Sequence, residues 1–161
     1  MILKIVLGLF LFLSINFFSQ NKLFEKGKSK TLKEINLIDN SNLIKLDSTT
    51  LVMDDSIKVS ARKFAQKILT KNVLNKSNSL FEIKYYIKKG KLFHIIVEEQ
   101  SPRYSDLKKY TEYFITDNKI SDMNSYRTMR VCLPISIDGS IKNQFGYNEN
   151  LTERIYEKLC F

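Results

Sequence analysis

Apolar residues recur along this chain at two different periods, and each period predicts a different element. Ile57, Ala61, Phe64, Ala65, Ile68, Leu69 and Val73 fall three or four residues apart, with Lys58, Arg62, Lys67 and Lys71 between them. That spacing predicts an amphipathic helix. Asp54, Asp55 or Ser56 supplies an N-cap, and Asn72, Asn75 and the polar run to Ser79 end it. The period then changes. Phe81, Ile83, Tyr85 and Ile87 alternate with Glu82, Lys84, Tyr86 and Lys88. Strict alternation predicts a strand with one buried and one wet face. Lys89-Gly90 predicts a tight turn, and Phe93, Ile95 and Val97 carry the buried face back. Leu92, His94 and Ile96 are only half polar, so the other side of this strand is expected to be partly covered.

A second helix is expected from Ser101-Pro102, where Ser caps and Pro suits the first helical position. Its stripe is Tyr104, Leu107, Tyr110, Thr111 and Phe114. Asp117 to Lys119 and Ser121 to Ser125 read as a loop. Val131 to Ile137 reads as a strand that Pro134 confines to an edge or bulge. Asp138-Gly139 marks a turn, and Ile141 to Tyr147 a return strand. Asn148 or Asn150 then caps a last helix, with Leu151, Ile155 and Leu159 at four-residue spacing. The expected fold class is therefore α+β: an antiparallel sheet built from two hairpins in α-ββ-α-ββ-α order, with helices packed on one face.

The N-terminal twenty residues carry a different signal. Lys4 is their one charge, Ile5 to Leu13 is apolar throughout, and polar residues resume at Ser19. A short basic region followed by such a run predicts a secretory signal peptide over residues 1–19. The alternative is an uncleaved anchor, although the run is short for a spanning helix of about 20 residues. Residues 20–55 are polar and uneven, and read as a flexible leader with one edge strand around Leu43 to Leu46. Residues 56–161 make the expected single domain. These features predict an exported protein, periplasmic or extracellular, without stable membrane insertion once the signal is removed; the alternative is a membrane-anchored one.

Composition narrows the classes. The chain has 161 residues, 43% apolar and 27% charged, with 26 Lys+Arg against 17 Asp+Glu and a formal net charge of +9. That length supports one buried core. Collagen, a coiled-coil rod and a disulfide-dense mini-protein are excluded. One His and two Cys are too few for a zinc site made of those residues alone. No Walker, G-x-G-x-x-G, G-x-S-x-G or H-E-x-x-H element is present. No cofactor and no metal are implied.

His94 is the one imidazole, so any His-based catalysis must use it. Its place between Leu92 and Ile96 fits a packing residue equally well. Cys132 and Cys160 are the two thiols. In an exported chain an even pair suggests a disulfide, here closing a loop of about 28 residues; two buried free thiols are the alternative. Basic and aromatic side chains offer one candidate binding surface. Arg103, Tyr104, Lys108, Tyr110 and Tyr113 share the second expected helix, and Tyr126, Arg127 and Arg130 follow it. Such a mixture suits an acidic glycan, an acidic lipid surface or a protein; export argues against nucleic acid.

From Arg130 to Leu159 the chain resembles part of a TonB C-terminal-type domain, on Pro134, Ile135, Ile137, Asp138, Gly139, Ile141, Leu151, Ile155 and Leu159. In that family a strand, an x-D-G-x-I turn, a second strand and a helix follow in this order. The resemblance implies a periplasmic protein-binding module that pairs with partner strands.

The expected function is non-catalytic binding, through an exposed sheet edge or the Tyr/Arg surface. The expected partner is a protein or an acidic envelope component. The alternatives are a periplasmic hydrolase-type enzyme using His94, and the TonB-like envelope module.

Overall fold

A computed structural model describes residues 27–41, 44–53, 57–74, 79–102, 106–128 and 149–160. The chain divides into two compact units, Met1–Ser41 and Asn42–Phe161.

In the first unit, residues 27–39 form helix α1. Ile35 and Ile38, three residues apart, are its buried side chains, while Leu37 is exposed. Its last turn is closed by the Ser41 hydroxyl, which donates to the Ile38 carbonyl at 2.7 Å. This helix replaces part of the expected flexible leader.

The second unit is a seven-stranded antiparallel sheet in which every strand pairs with its neighbours in sequence. The strands are β1 (Lys45–Met53), β2 (Ile57–Phe64), β3 (Lys67–Leu74), β4 (Ser79–Lys88), β5 (Lys91–Gln100), β6 (Lys108–Thr116) and β7 (Lys119–Thr128). Helix α2, Glu149–Cys160, follows. The α-ββ-α-ββ-α arrangement is thus corrected to a meander.

Both central expected helices are strands, for identifiable reasons. In β2, Ile57, Val59 and Ala61 are buried while Lys58, Ser60 and Arg62 are exposed. Val59, fully buried, lies outside the helical stripe and belongs to an alternating one. The chain reverses at Ala65 and Gln66, and the alternation resumes in β3 with Ile68, Thr70 and Asn72 turned inward. Two of those inward residues are polar, which hides the period of two. Their burial is tolerated because the Asn72 amide donates to Thr70 Oγ1 at 2.8 Å and to the Phe81 carbonyl at 3.1 Å. The β-branched Ile57, Val59, Ile68 and Thr70 also favour strands.

The second case is β6. Thr111 and Tyr113 face one side and Phe114 the other, and all three are buried. With apolar or aromatic residues on both faces, alternation gives no contrast and the four-residue spacing dominates. The expected loop at Ser121 to Ser125 lies within β7, which pairs along its length with β6. Asp117 and Asn118 form the two-residue turn between them, both at positive φ, the geometry that matches the twist of a hairpin. Lys89 and Gly90, at φ 51 and 75, do the same for the β4–β5 hairpin. The hairpin expected at Val131 to Tyr147 lies outside the described residues.

One face of the sheet carries the core. Val59, Phe81, Ile83, Tyr85 and Val97 are buried there with Leu151, Ile155 and Leu159 of α2. Two hydrogen bonds seat the helix. The Tyr85 hydroxyl donates to the Thr152 carbonyl at 2.9 Å, and the Tyr85 and Tyr156 rings lie 5.2 Å apart. Lys63 Nζ donates to the Leu159 carbonyl at 2.6 Å, meeting an open carbonyl at the negative end of the helix dipole.

Candidate functional site

The opposite face of the sheet is built by the alternate residues of the same strands. Register aligns them in rows across the strands. One row runs Thr50, Ser60, Lys71, Glu82, Glu98, Tyr110 and Tyr126, from β1 to β7. A parallel row contains Arg62, Leu69, Lys84 and Ile96. Two recesses lie along this face. The first, of about 590 Å³, spans β1 to β4; the second, of about 440 Å³, spans β3 to β6. They share Lys71 and Glu82, so the surface is continuous.

Charge is unevenly distributed along it. The first recess is lined by Arg62, Lys67, Lys71 and Lys84 against one carboxylate, Glu82, and by the hydroxyls of Ser48, Thr50 and Ser60 among others. Lys71 pairs with Glu82 at 3.1 Å. Arg62 and Lys84 have no carboxylate partner among the described residues. The second recess is balanced, with Lys71 and Lys108 against Glu82 and Glu98. Lys108 donates to Glu98 there, and this hydrogen bond and charge raise the Lys108 pKa.

The expected Tyr/Arg surface is divided by the strand. Lys108, Tyr110 and Tyr126 share the open face, where the two tyrosine rings stack 5.2 Å apart at an interplanar angle of 14°. Partial burial, with the Glu112 carboxylate second, raises the Tyr126 phenol pKa. Tyr113 instead points into the core, and Arg127 pairs with Lys109 on the core side of the sheet. Arg103, Tyr104 and Arg130 lie outside the described residues.

At one end of the open face, an aromatic row is buried. Tyr86 and His94 are fully buried and Phe114 nearly so. The His94 ring meets Phe114 edge-on at 4.6 Å and lies 6.0 Å from Tyr86. Lys67 Nζ sits 5.4 Å from the centre of the Tyr86 ring. Neither His94 nitrogen has a hydrogen-bond partner among the described residues. Burial pushes its pKa down to about 4, so the ring is neutral at physiological pH. No carboxylate orients it, as a general base requires.

Cys160 is a free, exposed thiol in this structure, and Cys132 lies outside the described residues. Burial, with Cys160 beside it, pushes the Tyr156 phenol up to about 12. Among the described residues no group of three His, Cys, Asp or Glu is placed to hold a metal ion. No described helix is long and apolar enough to cross a membrane.

Sequence reasoning missed Arg62, Lys71, Lys84 and Glu82 as a set. Arg62, Lys71 and Lys84 come from three different strands, and only the register brings them together. Within the TonB-like stretch, Leu151, Ile155 and Leu159 lie on α2, while the turn residues from Pro134 to Ile141 fall outside the described residues. No family model matches the chain, and no curated protein or solved structure was found to be similar to it.

Proposed function

We propose that this chain is an exported, non-catalytic binding module that uses the sheet face opposite α2. One observation carries the reading: a sheet covered by a helix on one side exposes a continuous, recessed row of polar and charged side chains on the other. Such a row is costly to bury and is of no use to the core. Concave surfaces of this kind are where ligands settle. The N-terminal apolar segment supports export. The buried, unpartnered ring of His94 favours binding over His-based catalysis.

Strand addition at β7 is a second reading. Among the described residues β7 pairs with β6 alone, and Ile120, Met123 and Tyr126 are exposed along it. An exposed edge accepts an extended partner through main-chain hydrogen bonds.

One experiment separates the two. The full chain, immobilised, is exposed to solubilised envelope material from its host. Ser60→Trp fills the first recess; Glu153→Trp adds the same bulk on the exposed side of α2. Retention lost in Ser60→Trp but kept in Glu153→Trp is the expected result. Retention unchanged in Ser60→Trp overturns the reading, and loss confined to Met123→Lys moves the site to the β7 edge.

A further inference from the structure

We infer that the ligand of this face is an acidic polysaccharide chain, whose anionic groups sit among Arg62, Lys71 and Lys84. The inference rests on the binding-module reading and names its ligand class.

Charge complementarity comes first. Four cations meet one carboxylate in the β1–β4 recess. Arg62 and Lys84 flank Leu69 from the neighbouring strands, which places their backbones about 10 Å apart. Lys71 lies two residues along β3 from Leu69 on the same face, completing a triangle of positive charge. Its partner Glu82 is nearly half exposed, so that pair is easily exchanged for a stronger anion.

Shape and surface chemistry then select among anions. The site is an open trough, and does not enclose a compact anion such as a free phosphate. It extends from β1 to β6, five strand spacings or about 24 Å, a length suited to several linked sugar units. Ser48, Thr50 and Ser60 line it with hydroxyls, which match the hydroxyls of a sugar. The central cross-strand row ends at the Tyr110–Tyr126 stack, where half-exposed rings suit the apolar face of a pyranose. A protein partner would want an apolar, charge-poor centre with aromatic anchors, and this recess is centred on lysine and arginine. A flat bilayer does not follow a recessed surface.

The test titrates the full chain with polygalacturonate, with neutral dextran of similar length, and with phosphatidylglycerol vesicles. Polygalacturonate is expected to bind and dextran not to. Affinity is expected to fall steeply between about 50 and 500 mM salt. The double variant Arg62→Gln/Lys84→Gln is expected to bind about tenfold more weakly or worse, while Glu98→Gln in the balanced recess binds no more weakly than wild type. Amide shifts on titration of the wild-type chain are expected on β2, β3 and β4, which reports the site without relying on any variant. No binding of polygalacturonate, equal binding of dextran, or binding of vesicles alone overturns the ligand class; if Ser60→Trp still loses envelope material, the face reading survives that failure. Polygalacturonate binding untouched by the double variant, with shifts elsewhere, overturns both.

Discussion

The two faces of the sheet are made by alternate residues of the same strands, yet they follow different rules. On the α2 side, Val59, Ile83, Tyr85 and Val97 are closed off from water with Ile155. One residue along each strand, Arg62, Lys71 and Lys84 line an open recess. The first face earns stability through apolar burial and packing density. The second contributes little stability, and its residues are therefore free to serve recognition. Because the side-chain period is two, a one-residue slip in register would exchange the faces. The rigid core is thus what holds the charged rows in place.

Truncations should break this comparison most visibly if it is wrong. Ile155→Ala removes a fully buried side chain and is expected to cost about 2–5 kcal/mol in urea unfolding. Val52→Ala, on the open face and 61% exposed, should stay within about 0.5 kcal/mol. Similar costs for the two would mean that the open face is packed.

The buried aromatic row sharpens the comparison, since it lies on the open face but behaves as core. His94 has an unfolded pKa near 6.5 and a folded value of about 4. Above pH 6.5 both states are neutral. Between 6.5 and 4 only the unfolded chain takes up the proton, so stability falls as pH drops through that window. The loss attributable to this ring between pH 7 and 4.5 is expected to be about 2–3 kcal/mol. His94→Phe should show a correspondingly smaller loss across the same interval. An identical pH dependence in the two proteins would mean that His94 is protonated within the fold.

The smallest effect is expected at the exposed Lys71–Glu82 pair. Glu82→Gln should change stability by less than about 0.5 kcal/mol, while strengthening binding of polygalacturonate. A large stability loss would make the pair structural, and weaker binding would remove it from the anion site.

Parts of this architecture were legible without coordinates. The β4–β5 hairpin follows from the alternation of Phe81 to Ile87 and from Lys89-Gly90 in its turn. Helix α2 follows from Leu151, Ile155 and Leu159 at helical spacing. Both signals are local: each depends on a single period and a turn or stripe within the same segment. Two strands were illegible for the opposite reason. Thr70 and Asn72 are polar yet buried, because hydrogen bonds from a side chain to neighbouring strands satisfy them. Thr111, Tyr113 and Phe114 are buried on both faces, which erases the alternation. For β2, Ile57, Ala61 and Phe64 fit the helical and Val59 the extended period, and pairing with β1 and β3 decides between them.

The candidate site shows the same division. Its residue types, an excess of Lys and Arg with interspersed tyrosines and one buried-strand His94, were set by composition and visible from the start. Their grouping was not. Tyr110 and Tyr113 are three residues apart and would share a helical face, but in β6 they point to opposite sides. Arg62, Lys71 and Lys84 are spread over more than twenty positions, yet three adjacent strands bring them to one recess. The sequence by itself determined the periods, the turns and the charge available. Only the tertiary structure decided which residues share a surface, because cross-strand register is a long-range property that no local spacing encodes.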